Sequence, residues 1–101
     1  MDFVENDTGS ILRVTCRDRD SGDVINLTGA TVRLRWKQAG AVTTRTMDIV
    51  SPASGGVAEY QFESGELVRG VRQFEVEITD SGGKKLSSLD PLVKTIRKEF
   101  G

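Results

Sequence analysis

Histidine is absent from the 101 residues, cysteine occurs once and proline only twice. Without histidine the chain lacks the side chain that most often serves as a general base near neutral pH and as a transition-metal ligand. A single cysteine excludes an internal disulfide, a thiolate-based zinc site and a paired-thiol redox centre. An excess of one charge is missing too: 14 Lys+Arg stand against 15 Asp+Glu, for a formal net charge of −1. That balance supplies no long-range field toward nucleic acid or an anionic membrane. No apolar run approaches the ~20 residues of a membrane helix. The acidic start Met1-Asp2-Phe3-Val4-Glu5-Asn6-Asp7 has neither the positive nor the apolar region of a secretory signal. These features fit a chain made and used in a reducing cytoplasm. There the triplets Asn6-Asp7-Thr8 and Asn26-Leu27-Thr28 are not expected to carry glycans.

What is present is alternation with a period of two. Leu12, Val14 and Cys16 share one face of a run whose other face is Arg13, Thr15 and Arg17. Val32, Leu34 and Trp36 alternate with Arg33, Arg35 and Lys37, and Phe74, Val76 and Ile78 alternate with Glu75, Glu77 and Thr79. Such runs are strands with one buried and one wetted face. Weaker strands are expected over Ala58–Phe62 and near Thr46–Ile49, and two more over Lys85–Leu89 and Leu92–Ile96. Between them lie Asp20-Ser21-Gly22-Asp23, Leu27-Thr28-Gly29, Gln38-Ala39-Gly40, Ser51 to Gly56, Asp80-Ser81-Gly82-Gly83 and Asp90-Pro91. Glycine supplies positive φ in such turns, while Asp and Ser bond to the nearby backbone. Ser64-Gly65-Glu66-Leu67-Val68 reads as a short turn or 3₁₀ crossing between sheets.

Short strands at regular spacing with glycine-rich turns predict an all-β fold, an immunoglobulin-like antiparallel β-sandwich of about seven to eight strands. Residues 1–101 form a single domain with no repeat or linker. The expected core is Leu12, Val14, Cys16, Leu27, Val32, Leu34, Trp36, Ile49, Tyr60, Phe62, Leu67, Phe74, Val76, Ile78 and Leu86. If the strands bearing Arg33 and Glu75 are neighbours, their outward charges pair across the sheet, each pair contributing ~0.2–1 kcal/mol.

The candidate sites read mostly as structure. Cys16 is a small buried hydrophobe near a core indole, in the positions of the first Cys and core Trp of immunoglobulin domains. Phe74 or Val76 stands where the second Cys would fall. Asp18-Arg19-Asp20-Ser21-Gly22-Asp23 has the acid spacing of a calcium loop but no terminal bidentate glutamate, and reads as a hairpin turn. Glu75 and Glu77, ~7 Å apart on one strand face, have a spacing that suits a glycosidase pair. Exposed carboxylates facing cations explain them better. Arg13, Arg17, Arg33, Arg35 and Lys37 have no interleaved surface aromatics, so they describe a solvated face rather than a nucleic-acid site. Gly55-Gly56 and Gly82-Gly83 precede no helix and are not phosphate loops. The ends differ in charge: Asp2, Glu5 and Asp7 make an acidic arm, and Lys94, Arg97 and Lys98 make a basic tail. These six are the candidate interface for head-to-tail docking between subunits.

One order of motifs is more specific than the alternation. Glu5-Asn6-Asp7-Thr8-Gly9 precedes the first clear strand, and Asn26-Leu27-Thr28-Gly29-Ala30-Thr31-Val32 leads into the next. Gly56-Val57-Ala58-Glu59-Tyr60-Gln61-Phe62 and Gly70-Val71-Arg72-Gln73-Phe74-Glu75-Val76 follow. This arrangement, over nearly the whole chain, resembles the small β-sandwich module of tailed-phage and prophage structural proteins, notably the N-terminal domain of baseplate upper proteins. Val71-Arg72 replaces an aromatic after Gly70, and Phe62 stands where Trp is frequent. The resemblance implies a non-enzymatic tail, baseplate or neck component, assembled in the bacterial host cytoplasm and residing in the virion, without a host-recognition domain. It implies docking to other virion proteins or to copies of itself, with no cofactor, metal, nucleic-acid or membrane partner. The alternative is a bacterial immunoglobulin-like module binding a carbohydrate or protein through its loops.

Overall fold

Where apolar and charged residues trade places one by one, the chain is extended. The computed structural model describes residues 3–4, 9–18, 20–38, 40–86 and 92–97. Its strands are β1 (Phe3–Val4), β2 (Ile11–Thr15), β3 (Thr31–Gln38), β4 (Ala41–Thr46), β5 (Asp48–Ile49), β6 (Val57–Gln61), β7 (Gly70–Thr79), β8 (Lys85–Leu86) and β9 (Leu92–Arg97). They form a larger sheet in the order β1-β9-β7-β3-β4, with β8 also paired to β7, and a smaller sheet β2-β6-β5. The orders β9-β7-β3-β4 and β2-β6-β5 match the G-F-C-C′ and B-E-D sheets of the immunoglobulin sandwich. All pairings are antiparallel except β1 with β9, which run parallel with Phe3 opposite Ile96.

The inward stripes meet between the sheets. Leu12 and Val14 of β2, with Ala58 and Tyr60 of β6, pack in one core with Val32, Leu34 and Trp36 of β3 and Phe74, Val76 and Ile78 of β7. Cys16, Leu27, Phe62 and Leu67 are fully buried from the connections. Phe62 is the hub of the aromatic cluster, with ring centroids 5.2 Å from Phe3, 5.3 Å from Tyr60, 5.8 Å from Phe74 and 5.9 Å from Trp36. Edge-on and tilted arrangements at such distances add to the burial of the rings themselves.

Two segments differ from the sequence reading. The run near Thr46–Ile49 is not one strand: Thr46 pairs with Arg33 in the larger sheet, whereas Asp48 pairs with Glu59 in the smaller one. Met47, between them, donates its amide to the Val32 carbonyl at 2.8 Å and buries its side chain at this crossing. Ile49 is accordingly only half-buried beside the core. The stretch before it, Ala41–Thr46, is a full edge strand whose side chains are nearly all exposed, so it carries no alternation. Gly40, at φ +81°, supplies the positive dihedral of the tight hairpin that joins it to β3.

Among the described residues Asp and Asn side chains serve the turns as expected, and the expected turn at Asp90-Pro91 lies outside the described residues. Asp18 Oδ1 accepts the amides of Asp20 and Ser21, Asn26 Oδ1 accepts that of Thr28, and Asp80 Oδ1 accepts those of Gly82 and Lys84. Ser64–Glu66 is a turn, and a short 3₁₀ segment forms instead at Ala53–Gly55. The expected strand over Lys85–Leu89 is described only as β8, and residues 87–90, with the side chain of Leu86, lie outside the described residues.

Candidate functional site

The outer face of the larger sheet is set by the same alternation that fills the core. Arg33, Arg35 and Lys37 of β3 and Val71, Gln73, Glu75 and Glu77 of β7 take the positions opposite to the buried residues. Register adds Val42 beside Lys37 and Val93 beside Gln73. Three valines therefore sit on a wetted sheet face, Val71 at 74% exposure, Val93 at 62% and Val42 at 52%.

Two of these valines, Val42 and Val71, line a gap in the sheet. The β3–β7 ladder runs from Thr31 opposite Thr79 to Arg35 opposite Glu75 and stops there. Beyond that point β3 stays with β4 as far as Gln38, and β7 stays with β9 back to Gly70. A cleft of about 480 Å³ opens between them, with Lys37 and Val42 on one wall, Val71 and Gln73 on the other, and Arg35 and Glu75 at its closed end. Trp36 and Arg72 also line it.

Two of the lining residues, Trp36 and Arg72, are tied into a polar network. Trp36 Nε1 donates to Gln38 Oε1 at 3.1 Å, and Gln38 Nε2 donates to the Gly65 carbonyl at 3.0 Å. The buried Glu66 carboxylate accepts from Tyr60 Oη at 2.8 Å, from Arg45 Nε at 2.9 Å and from the Glu63 amide at 2.7 Å. Its main-chain carbonyl accepts from Arg72. Among the described residues no buried side-chain nitrogen or oxygen lacks a partner. A satisfied network of this kind holds Trp36 and Arg72 in one arrangement. Burial pushes the Arg72 guanidinium below its ordinary range and the Tyr60 phenol up to about 12. At the surface Glu77 bridges Arg35 at 3.5 Å and Lys85 at 3.9 Å.

Of the six nominated interface residues, two fall on described backbone. Lys94 is half-buried on β9 opposite Arg72, and Arg97 ends β9 opposite Val4. Asp2, Glu5, Asp7 and Lys98 lie outside the described residues. The chain's two ends meet within one molecule through β1 and β9. The five cations considered as a patch are divided between the sheets. Arg13 bridges Glu59 at 2.8 Å on the smaller sheet, and Arg17 donates to the Gly22 carbonyl. Asp18 serves its hairpin, and hydrogen bonds from Ser21 and Asp20 hold its carboxyl below the usual range. Among the described residues no group of three or more His, Cys, Asp or Glu is placed to hold a metal.

The exposed valines were legible without being read. Continuing the alternation of Phe74–Ile78 back along the chain puts Val71 outward, and a tight hairpin at Gly40 puts Val42 beside Lys37. The cleft itself has no sequence signal, because it depends on where β3 and β7 part. Comparison with protein-family models, with curated proteins and with solved structures finds no match.

Proposed function

We propose that this chain is a non-enzymatic assembly protein of a tailed-phage or prophage particle, a tail, baseplate or neck component. It works by docking other virion proteins on the outer face of β3, β4, β7 and β9. The observation that carries the docking reading is the group of exposed valines on this face, Val42, Val71 and Val93, the first two of which line a cleft. Grouped apolar side chains on a face that also bears charge are the ordinary make-up of a protein interface. The phage assignment is supported by the order of motifs from Glu5 to Val76 that resembles the virion module. Protein is favoured over carbohydrate because the described aromatics, Phe3, Trp36, Tyr60, Phe62 and Phe74, are all buried and none of them can stack on a sugar.

Mass spectrometry of purified particles from a lysogen carrying the gene tests the reading. The chain is expected in the particle at a fixed copy number. A Val71→Glu, Val93→Glu double variant, folded by circular dichroism, is expected to be depleted from it. Absence of the wild-type chain from particles overturns the phage assignment, and undiminished incorporation of the variant overturns the docking face.

A further inference from the structure

We infer that the cleft between β3 and β7 takes a short, extended, acidic peptide segment of a partner protein. This rests on the docking reading above and specifies what is docked. The first reason is in the main chain. The Val32 carbonyl accepts from the Met47 amide, so the even-numbered residues of β3 turn their main-chain groups toward β4. Successive residues of a strand turn theirs to opposite sides. The odd-numbered ones therefore face β7, where Arg33 and Arg35 meet Glu77 and Glu75. Lys37 has the same direction, but the ladder has ended before it. On β7, Gln73 and Val71 share the parity of Glu75 and Glu77 and face the same gap. Main-chain donors and acceptors thus line both walls, the arrangement that an added extended segment satisfies.

The second reason is charge. Arg35, Lys37 and Arg72 line the cleft against a single carboxylate, Glu75. Arg35 is bridged by Glu77, but Lys37 has no ion-pair partner among the described residues. The half-buried Arg72 spends one donor on the Glu66 carbonyl. A guanidinium has five donors in a fixed fork suited to carboxylates. The apolar lip formed by Val42 and Val71 asks for apolar side chains interleaved with the acidic ones. No described aromatic side chain is exposed on this face to stack a base, so the cations favour carboxylates over single-stranded nucleic acid.

Fluorescence anisotropy with the intact chain tests the inference. The probe is a labelled, end-capped hexapeptide of alternating valine and glutamate. Its valine–lysine counterpart and an oligothymidylate serve as comparisons. The acidic peptide is expected to bind saturably and to move the amide resonances of Lys37 and Gln73. Lys37→Glu should weaken it by about tenfold or more, and Val68→Ser, away from the cleft, should leave it unchanged. No saturable binding up to millimolar peptide overturns the inference. So do equal binding of the lysine peptide, displacement by the oligothymidylate, or shifts confined to other residues. If the acidic peptide fails while the valine double variant is still lost from particles, the docking face stands and only the cleft inference falls. If the peptide binds as expected and the chain is absent from particles, the phage assignment falls instead.

Discussion

Tyr60 Oη donates to Glu66 Oε1 at 2.8 Å, joining strand β6 of the smaller sheet to the crossing that leads into β7. The same carboxylate reaches Arg45 on β4, at the opposite edge of the larger sheet from β1. One buried acid therefore couples both sheets and the segment between them. Glu66 is 6% exposed and the Arg45 side chain 43%, so the pair is half in solvent, and the buried half is completed by Tyr60 and the Glu63 amide.

Removing one donor should cost less than removing the acceptor. Tyr60→Phe leaves Glu66 with Arg45 and the Glu63 amide, and a loss of about 1–1.5 kcal/mol is expected. Glu66→Ala strands the Tyr60 hydroxyl and the Glu63 amide together and empties the space the side chain filled. A loss of about 2–4 kcal/mol is expected. Urea denaturation followed by fluorescence of the chain's single tryptophan, Trp36, measures both. The reverse order would show that the carboxylate is not the centre of this network.

The chain's single tyrosine makes its titration directly readable. Burial, then the hydrogen bond and charge of Glu66, push the Tyr60 phenol from 10.0 up to about 12. A raised folded value favours the neutral phenol in the native state. The corresponding stability is complete below the unfolded value of 10.0 and is lost as pH rises through about 12. Near-ultraviolet absorbance of tyrosinate should show a midpoint near 12 in the folded chain and near 10 in urea. Glu66→Gln should lower the folded midpoint.

The core was legible wherever a strand was long enough to alternate. Leu12, Val14, Val32, Leu34, Trp36, Phe74, Val76 and Ile78 are all buried as their spacing required. Phe3 and Ile96 were not foreseen. Two residues of β1 cannot show a period, and Ile96 is buried by the parallel β1 rather than by the pattern of β9. Met47 and Ala58 were missed for different reasons: one marks a sheet crossing that periodicity does not encode, and the other is small. For the site, the cations and the outward parity of Val71 are legible in the sequence, whereas the charges of the two termini stand out only because they are local in sequence. The cleft is a property of pairing between strands distant in sequence, and it became visible only with the register.

Gly56 is buried at φ +71°, and a Cβ there would collide with Val24 Cγ1 and meet the Ile25 carbonyl at 2.8 Å and the Cys16 carbonyl at 3.2 Å. Two of those contacts are backbone and cannot swing aside. The Cys16 amide also bonds to the Gly56 carbonyl at 2.7 Å, so a shift of Gly56 pulls on the end of β2. Gly56→Ala is expected to destabilise by more than the ~1 kcal/mol of an unfavourable dihedral alone. Gly22→Ala has φ +77° but open space around it, and isolates the dihedral term. Urea midpoints of the two variants compare them, and equal losses would show that the close contacts relax freely.

Cys16 is fully buried, and burial raises its thiol above the ordinary 9.0. Both effects act against reaction, because a disulfide reagent needs an accessible thiolate. The folded chain is expected to react with an aromatic disulfide reagent only as fast as it unfolds, while the urea-denatured chain releases one equivalent at once. A raised thiol value favours the protonated form in the native state, so the associated stability is complete below pH 9.0 and falls as pH rises beyond it. Cys16→Ser should therefore not restore a surface-like side chain but bury a hydroxyl among apolar groups, at a cost of about 1–3 kcal/mol. Cys16→Ala trades the sulfur for a small cavity instead and should cost less. Rapid stoichiometric labelling of the native chain, or a serine variant as stable as the wild type, would place this side chain at the surface.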